Sequence, residues 1–179
     1  DTGICGAQVP YTLPIAIDNC AATVPVENSD AAQVPGSLFP VGTTTVQLNA
    51  TDAAGNTGAC SFAITVIDDE APTITCPSDT AVSTEPGACG AHLDYALPIA
   101  SDPCDGSVPV VAINSTPAPG SLFPTGTTAV QYQATDAAGN SSTCSFSVTV
   151  TDGQAPTFTP PADMSVAADI GSCSATVNY

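Results

Sequence analysis

The sequence has no lysine and no arginine among its 179 residues. His92 is therefore the only side chain able to carry positive charge near neutral pH, against 17 aspartates and glutamates. Nucleic acid is excluded as a partner, because neutralising phosphates takes a set of cationic side chains. A lysine Schiff base, an arginine clamp on a carboxylate and Lys or Arg salt bridges are excluded with it. Tryptophan is absent and aromatics make up 5% of the chain, so the usual stacking platform for sugars is missing. No apolar run reaches the 18 residues of a membrane helix, and no secretory leader stands at Asp1. The chain reads as a piece of a larger secreted protein, with no membrane span in this segment.

What is present points to β structure. A hydrophobic share of 43% with only 9% charged residues supplies core material and argues against disorder. The 17 prolines and 14 glycines punctuate stretches of Val, Thr and Ile, as strands and turns require. Eight cysteines occur without the paired C-x-x-C spacing of a zinc module, so disulfides in an oxidising compartment are the better reading. A net charge of −17 repels itself, and bound cations or covalent links must offset that repulsion.

The main fact is a repeat. TDAAGN stands at 51–56 and again at 135–140, a shift of 84 that also superposes PGSLFPVGTTTVQ on PGSLFPTGTTAVQ and DDEAPT on DGQAPT. Cys5, Cys89 and Cys173 share one position, as do Tyr11, Tyr95 and Tyr179. The expected division is 1–68, a module lacking its first strand; 69–152, a complete module; and 153–179, the N-terminal strands of a third. Pro72 and Pro156 stiffen the two links, so the modules should run in line with limited bending.

Val130, Tyr132 and Ala134 alternate with polar neighbours before AAGN, and Cys144, Phe146, Val148 and Val150 alternate after it. That is a β-hairpin. Its turn explains TDAAGN without an ion or a catalytic loop: Asp52 or Asp136 bonds nearby amides, while Gly55 and Asn56, or Gly139 and Asn140, tolerate positive φ. Further short strands are expected at 73–76, 92–96 and 108–113. Six or seven strands per 84 residues predict an all-β chain of tandem immunoglobulin-like β-sandwich modules, stabilised by disulfides.

Cys76-Pro77, D-x-C at 102–104, PGSLFPTGTTAVQYQATDAAGN and the closing CSFSVTV resemble the hyalin repeat, or HYR, family in a bacterial-type form with an added cysteine pair. The resemblance covers essentially the whole chain. It implies an immunoglobulin-like fold in secreted or cell-surface proteins, adhesive or stalk-like roles, and no enzymatic activity. It also implies that Cys76 bonds Cys144. The added pair is then Cys89 with Cys104, and Cys5 with Cys20 in the first module, while Cys60 and Cys173 have partners outside the chain. A rival scheme joins Cys60 to Cys76 across the link, although its next instance would need a cysteine where Pro160 stands. Spacing alone does not decide between them.

Acids recur in register, and calcium takes six to eight oxygens, so Asp68, Asp69 and Glu70 with Asp152 are the candidate calcium ligands. Against them, Asp69 and Glu70 give way to Gly153 and Gln154 at the next link; without an ion they are solvated acids. His92 has Gln8 and Thr176 as its counterparts, and no G-x-S-x-G or histidine pair is present, so catalysis has no foothold. Asn49, Asn114 and Asn140 head N-x-S/T sequons, and Asp79-Thr80-Ala81 resembles a short O-glycosylation motif. The expected role is a structural or adhesive segment of an extracellular stalk, adhesin or filament. Neighbouring repeats are its first partners, with self-assembly into a filament as an extension. The alternative is a module that recognises carbohydrate or a surface receptor through loops 27–35 and 111–119, where the repeats differ most.

Overall fold

The computed structural model describes residues 2–20 and 23–178. In the first module the strands are β1 (Gly6–Gln8), β2 (Val26–Asn28), β3 (Leu38–Pro40), β4 (Gly42–Thr51) and β5 (Thr57–Val66), with a 3₁₀ turn at Ala31–Gln33. In the second they are β6 (Thr73–Thr75), β7 (Thr80–Ser83), β8 (Gly90–Leu93), β9 (Ile99–Asp102), β10 (Gly106–Val108), β11 (Val110–Ile113), β12 (Ser121–Pro124), β13 (Gly126–Thr135) and β14 (Ser141–Thr151). Pro109, which has no N–H to give a ladder, separates β10 from β11. The described residues contain no helix long and apolar enough to cross a membrane.

The chain is a pair of immunoglobulin-like β-sandwich modules in tandem. Each is organised by the expected hairpin, β4 with β5 and β13 with β14, in unbroken ten-residue registers from Gly42↔Val66 to Thr51↔Thr57 and from Gly126↔Val150 to Thr135↔Ser141. Alternation turns one face inward. In the second module the sheet β11-β13-β14-β7 packs Val130, Tyr132, Phe146, Val148 and Val150 against Ala91 of β8 and Phe123 of β12. Ala100 and Val108 of the sheet β10-β9-β6 close the rest of the core around Ala134. The first module repeats this with Phe39, Val46, Leu48, Ile64 and Val66. Among the described residues its main sheet, β2-β4-β5, has no counterpart of β7, and an open cleft beside Ile15, Ile17, Leu48 and Cys60 lies on that face. In both modules a glycine lets the facing strand come close. A Cβ at Gly90 would stand 2.5 Å from the Phe123 carbonyl oxygen, and one at Gly6 2.6 Å from that of Phe39.

The direction of the strands gives each module two distinct ends. Eleven residues of β14 at about 3.4 Å each hold those ends roughly 35 Å apart. At one end lie the turn 136–140 and the β9–β10 turn, joined by the Ala137 amide donating to Asp105 Oδ2 at 2.7 Å. At the other, Thr84 donates its amide to Thr151 and Thr125 donates its own to the Cys89 carbonyl.

Residues 153–178 correct one expectation, since no strand forms there. The reason lies in pairing order. The corresponding strands of the second module, β6, β7 and β8, pair with β9, β14 and β12, which follow them in the sequence, and a short strand without a neighbour is not stable in water.

Candidate inter-module junction

The TDAAGN turn is built alike in both modules. Asp136 Oδ1 accepts the Asn140 amide at 2.7 Å while the Asn140 side chain donates to Asp136 Oδ2 at 2.9 Å. In the first module the Asn56 amide and side chain reach Asp52 at 2.8 Å each. The Asn56 side chain, then the surrounding amides, hold the Asp52 carboxyl below its ordinary value. At Asp136 desolvation pushes the other way, and the bonds from Asn140, Gly139 and Ala138 outweigh it to leave that carboxyl lowered too. Only the glycines take positive φ, 89° at Gly55 and 97° at Gly139. The asparagines are not needed for backbone freedom, which corrects one half of the turn argument.

Asn140 has a second task that the sequence reading missed. Its side-chain amide also donates to the carbonyls of Asp68 at 3.1 Å and Glu70 at 3.2 Å, so the turn of one module grips the link that enters it. Around this grip the link is fixed by its own acids. Asp68 Oδ1 accepts the Glu70 amide at 3.2 Å, and Glu70 Oε2 reaches back to the Gly3 amide of the first module at 2.7 Å. A cleft of about 310 Å³ lined by Thr2, Ile4, Ile67, Asp68, Asp69 and Cys104 lies at the seam.

A disulfide crosses that seam. Cys5 of the first module is bonded to Cys104 of the second, with Cα atoms 4.7 Å apart, and Cys76 is bonded to Cys144 at 5.8 Å. Cys20, Cys60, Cys89 and Cys173 are exposed and unbonded. The expected pairs Cys5–Cys20 and Cys89–Cys104 are thereby corrected, for a geometric reason. Cys89 and Cys104 are at opposite ends of their module, beyond the 4.4–6.8 Å between Cα atoms that a disulfide spans, and Cys5 and Cys20 repeat that placement. The cysteine turn itself is preorganised: Asp102 Oδ1 accepts the Cys104 amide at 2.7 Å, as Asp18 Oδ1 accepts that of Cys20 at 2.8 Å.

The acids named for calcium do not stand together. Asp68, Asp69 and Glu70 are at this seam, whereas Asp152 belongs to the far end of the module, where it accepts the Gln154 amide at 2.9 Å. Instead the carboxylates of Asp68 and Asp102 and the Cys104 sulfur lie within 4.8 Å of one another. The sulfur is engaged in the disulfide, while Asp102 Oδ2 is buried without a hydrogen-bond partner. His92 lies on an exposed face with Nδ1 3.0 Å from Glu85. The His92 amide, then its ring, lowers the Glu85 carboxyl. The loops 27–35 and 111–119 are tethered at one matching point, Tyr11 donating to the Gln33 carbonyl and Tyr95 to that of Pro117.

Comparison with known proteins places these modules. The HYR domain profile matches residues 1–66 and again 67–150. Hyalin of Strongylocentrotus purpuratus is 35% identical over 185 residues, covering 100% of this chain and 15% of that protein. A sushi, von Willebrand factor type A, EGF and pentraxin domain-containing protein of Rattus norvegicus is 37% identical over 145 residues, covering 80% of this chain and 4% of its own length. This chain thus spans a small part of the relatives it matches. Among solved structures, the extracellular domain of protocadherin GammaB4 superposes with a TM-score of 0.41 at 16% identity, over 82% of this chain and 30% of that one.

Proposed function

The chain belongs to the HYR domain family, and from that premise we propose that it is a structural and adhesive repeat segment of an extracellular protein. Its setting is a stalk, a surface adhesin or a filament, and its role is non-catalytic. The observation that carries this reading is the seam: one module is tied to the next, end to end, by a disulfide, a gripped link and a hydrogen bond from Gly3 to Glu70. Such a joint sets spacing and direction, which is what a stalk needs. Neighbouring repeats of the same protein are the first partners, and assembly into filaments extends the same geometry.

Small-angle X-ray scattering tests the reading. Two modules in line should give a longest dimension of at least about 70 Å, twice the strand length of one. A compact particle with the modules folded side by side would end the stalk reading. The second reading, recognition of a surface glycan or protein, draws on the two loops 27–35 and 111–119. They differ in residues and in shape, one with a 3₁₀ turn and the other with Asn114 and Ser115 at positive φ, yet both are anchored to a rigid scaffold by the same tyrosine. Binding on a glycan array that disappears when the loops are exchanged would favour it. Calcium, where it binds, would be held between Asp68 and Asp102, with backbone carbonyls and water completing its shell.

A further inference from the structure

We propose that Cys5–Cys104 is one rung of a repeating disulfide ladder, in which the G-x-C cysteine of every module bonds the D-x-C cysteine of the module that follows. Cys89 occupies in the second module the position Cys5 has in the first, and Cys20 occupies in the first the position Cys104 has in the second. The bond present in the structure therefore joins the two chemical halves that remain open on Cys89 and Cys20.

The surroundings of the bond recur with it. Gly3 donates to Glu70 Oε2 at the first seam, and Gly87, one repeat further on, donates to Gln154 Oε1 at 3.0 Å. Gln154 also donates its side-chain amide to the Glu85 carbonyl, so the second link already lies against the end of the module that presents Cys89. Asp152 holds the Gln154 amide as Asp68 holds that of Glu70. The link side of the second seam thus repeats that of the first. Cys89 is exposed there, with no cysteine of its own module at the same end to bond. Cys20, held by Asp18 in the turn that Asp102 builds for Cys104, is the matching half at the opposite end of the chain.

Closing each rung removes two protons and two electrons from two thiols and forms one S–S bond. A small-molecule disulfide such as oxidised glutathione accepts both electrons and leaves as two thiols. The ladder holds whether or not the modules bind a ligand, so it stands apart from the adhesive reading.

The test extends the full chain by one repeat, placing a second copy of residues 96–179 after Tyr179 so that the register continues. Both proteins are refolded in a glutathione redox buffer, alkylated and mapped without reduction after cleavage at aspartate. In the original chain Cys89 should be alkylated while Cys5 is joined to Cys104. In the extended chain Cys89 should lose its alkylation and be recovered joined to the added copy of Cys104. Alkylated Cys89 in an extended chain that retains Cys76–Cys144 would overturn the proposal. So would Cys5 joined to Cys20. The extended chain with C89S supplies the second reading: the added copy of Cys104 should become free, and its recovery in a bond to any other cysteine would count equally against the ladder.

Discussion

Replacing Asn140 by alanine should cost far more than replacing Asn56, although the two residues end the same turn. Asn56→Ala removes one side-chain bond, to Asp52, and Asn140→Ala removes its equivalent to Asp136. The second substitution also removes the bonds to the Asp68 and Glu70 carbonyls. One amide hydrogen goes to Asp136, so the two carbonyls share the other, and this bifurcated neutral bond contributes about 0.5–1.5 kcal/mol net. Neither asparagine has positive φ, so alanine brings no backbone strain to either site and the difference isolates the grip on the link. Native-state hydrogen exchange reads the modules separately, through amides of β4 for one and β13 for the other. Protection in β13 should fall by about 2–12-fold more under Asn140→Ala than protection in β4 falls under Asn56→Ala. Equal losses in the two modules would refute the reasoning, since the link carbonyls would then contribute nothing.

Four further outcomes are expected. Phe123→Ala, which empties a fully buried site, should lower stability by about 3–5 kcal/mol in urea unfolding; a loss below 1 kcal/mol would deny it the core position. Asp136 has a folded pKa below its ordinary 3.8, so its contribution is complete above that value and is lost as pH falls through the folded pKa. The stability gap between the native chain and Asp136→Asn should therefore narrow on acidification below 3.8, and a gap independent of pH would contradict the bonding. Trypsin should leave the chain whole even after reduction, because it holds no lysine or arginine; mass spectrometry of the digest checks this. Calorimetric titration of the EDTA-dialysed chain should give calcium heats that Asp102→Asn abolishes, and unchanged heats would move the ion elsewhere or dismiss it.

Much of the fold was legible because its signals are local. Alternation at Val130, Tyr132 and Ala134 and the glycine of TDAAGN report on neighbours within a few residues, and the 84-residue shift copies them. The disulfide partners of Cys5 and Cys104 were hidden for the opposite reason. Within one module Cys89 and Cys104 look like natural partners at a spacing of fifteen, but a nearly extended chain carries those fifteen residues from one end of the sandwich to the other. Closeness in sequence became distance in space. Asn140 was hidden in a similar way, as the carbonyls it holds come from a link about seventy residues upstream. The offset shared by Gly3 with Glu70 and Gly87 with Gln154 is visible only once strand order is known.

The placement of Cys89 and Cys104 at opposite ends of one module has a mechanical consequence. In a string whose rungs are all closed, tension would run from bridge to bridge through the fifteen residues between these cysteines and leave the rest of each module unloaded. Fifteen residues pay out to about 50 Å, against about 290 Å for a whole repeat of 84. Single-molecule pulling would separate the two regimes, with short extension steps in oxidant and long ones in reductant. An oxidised string is thus a tether of nearly fixed length, and a reducing environment turns it into a spring.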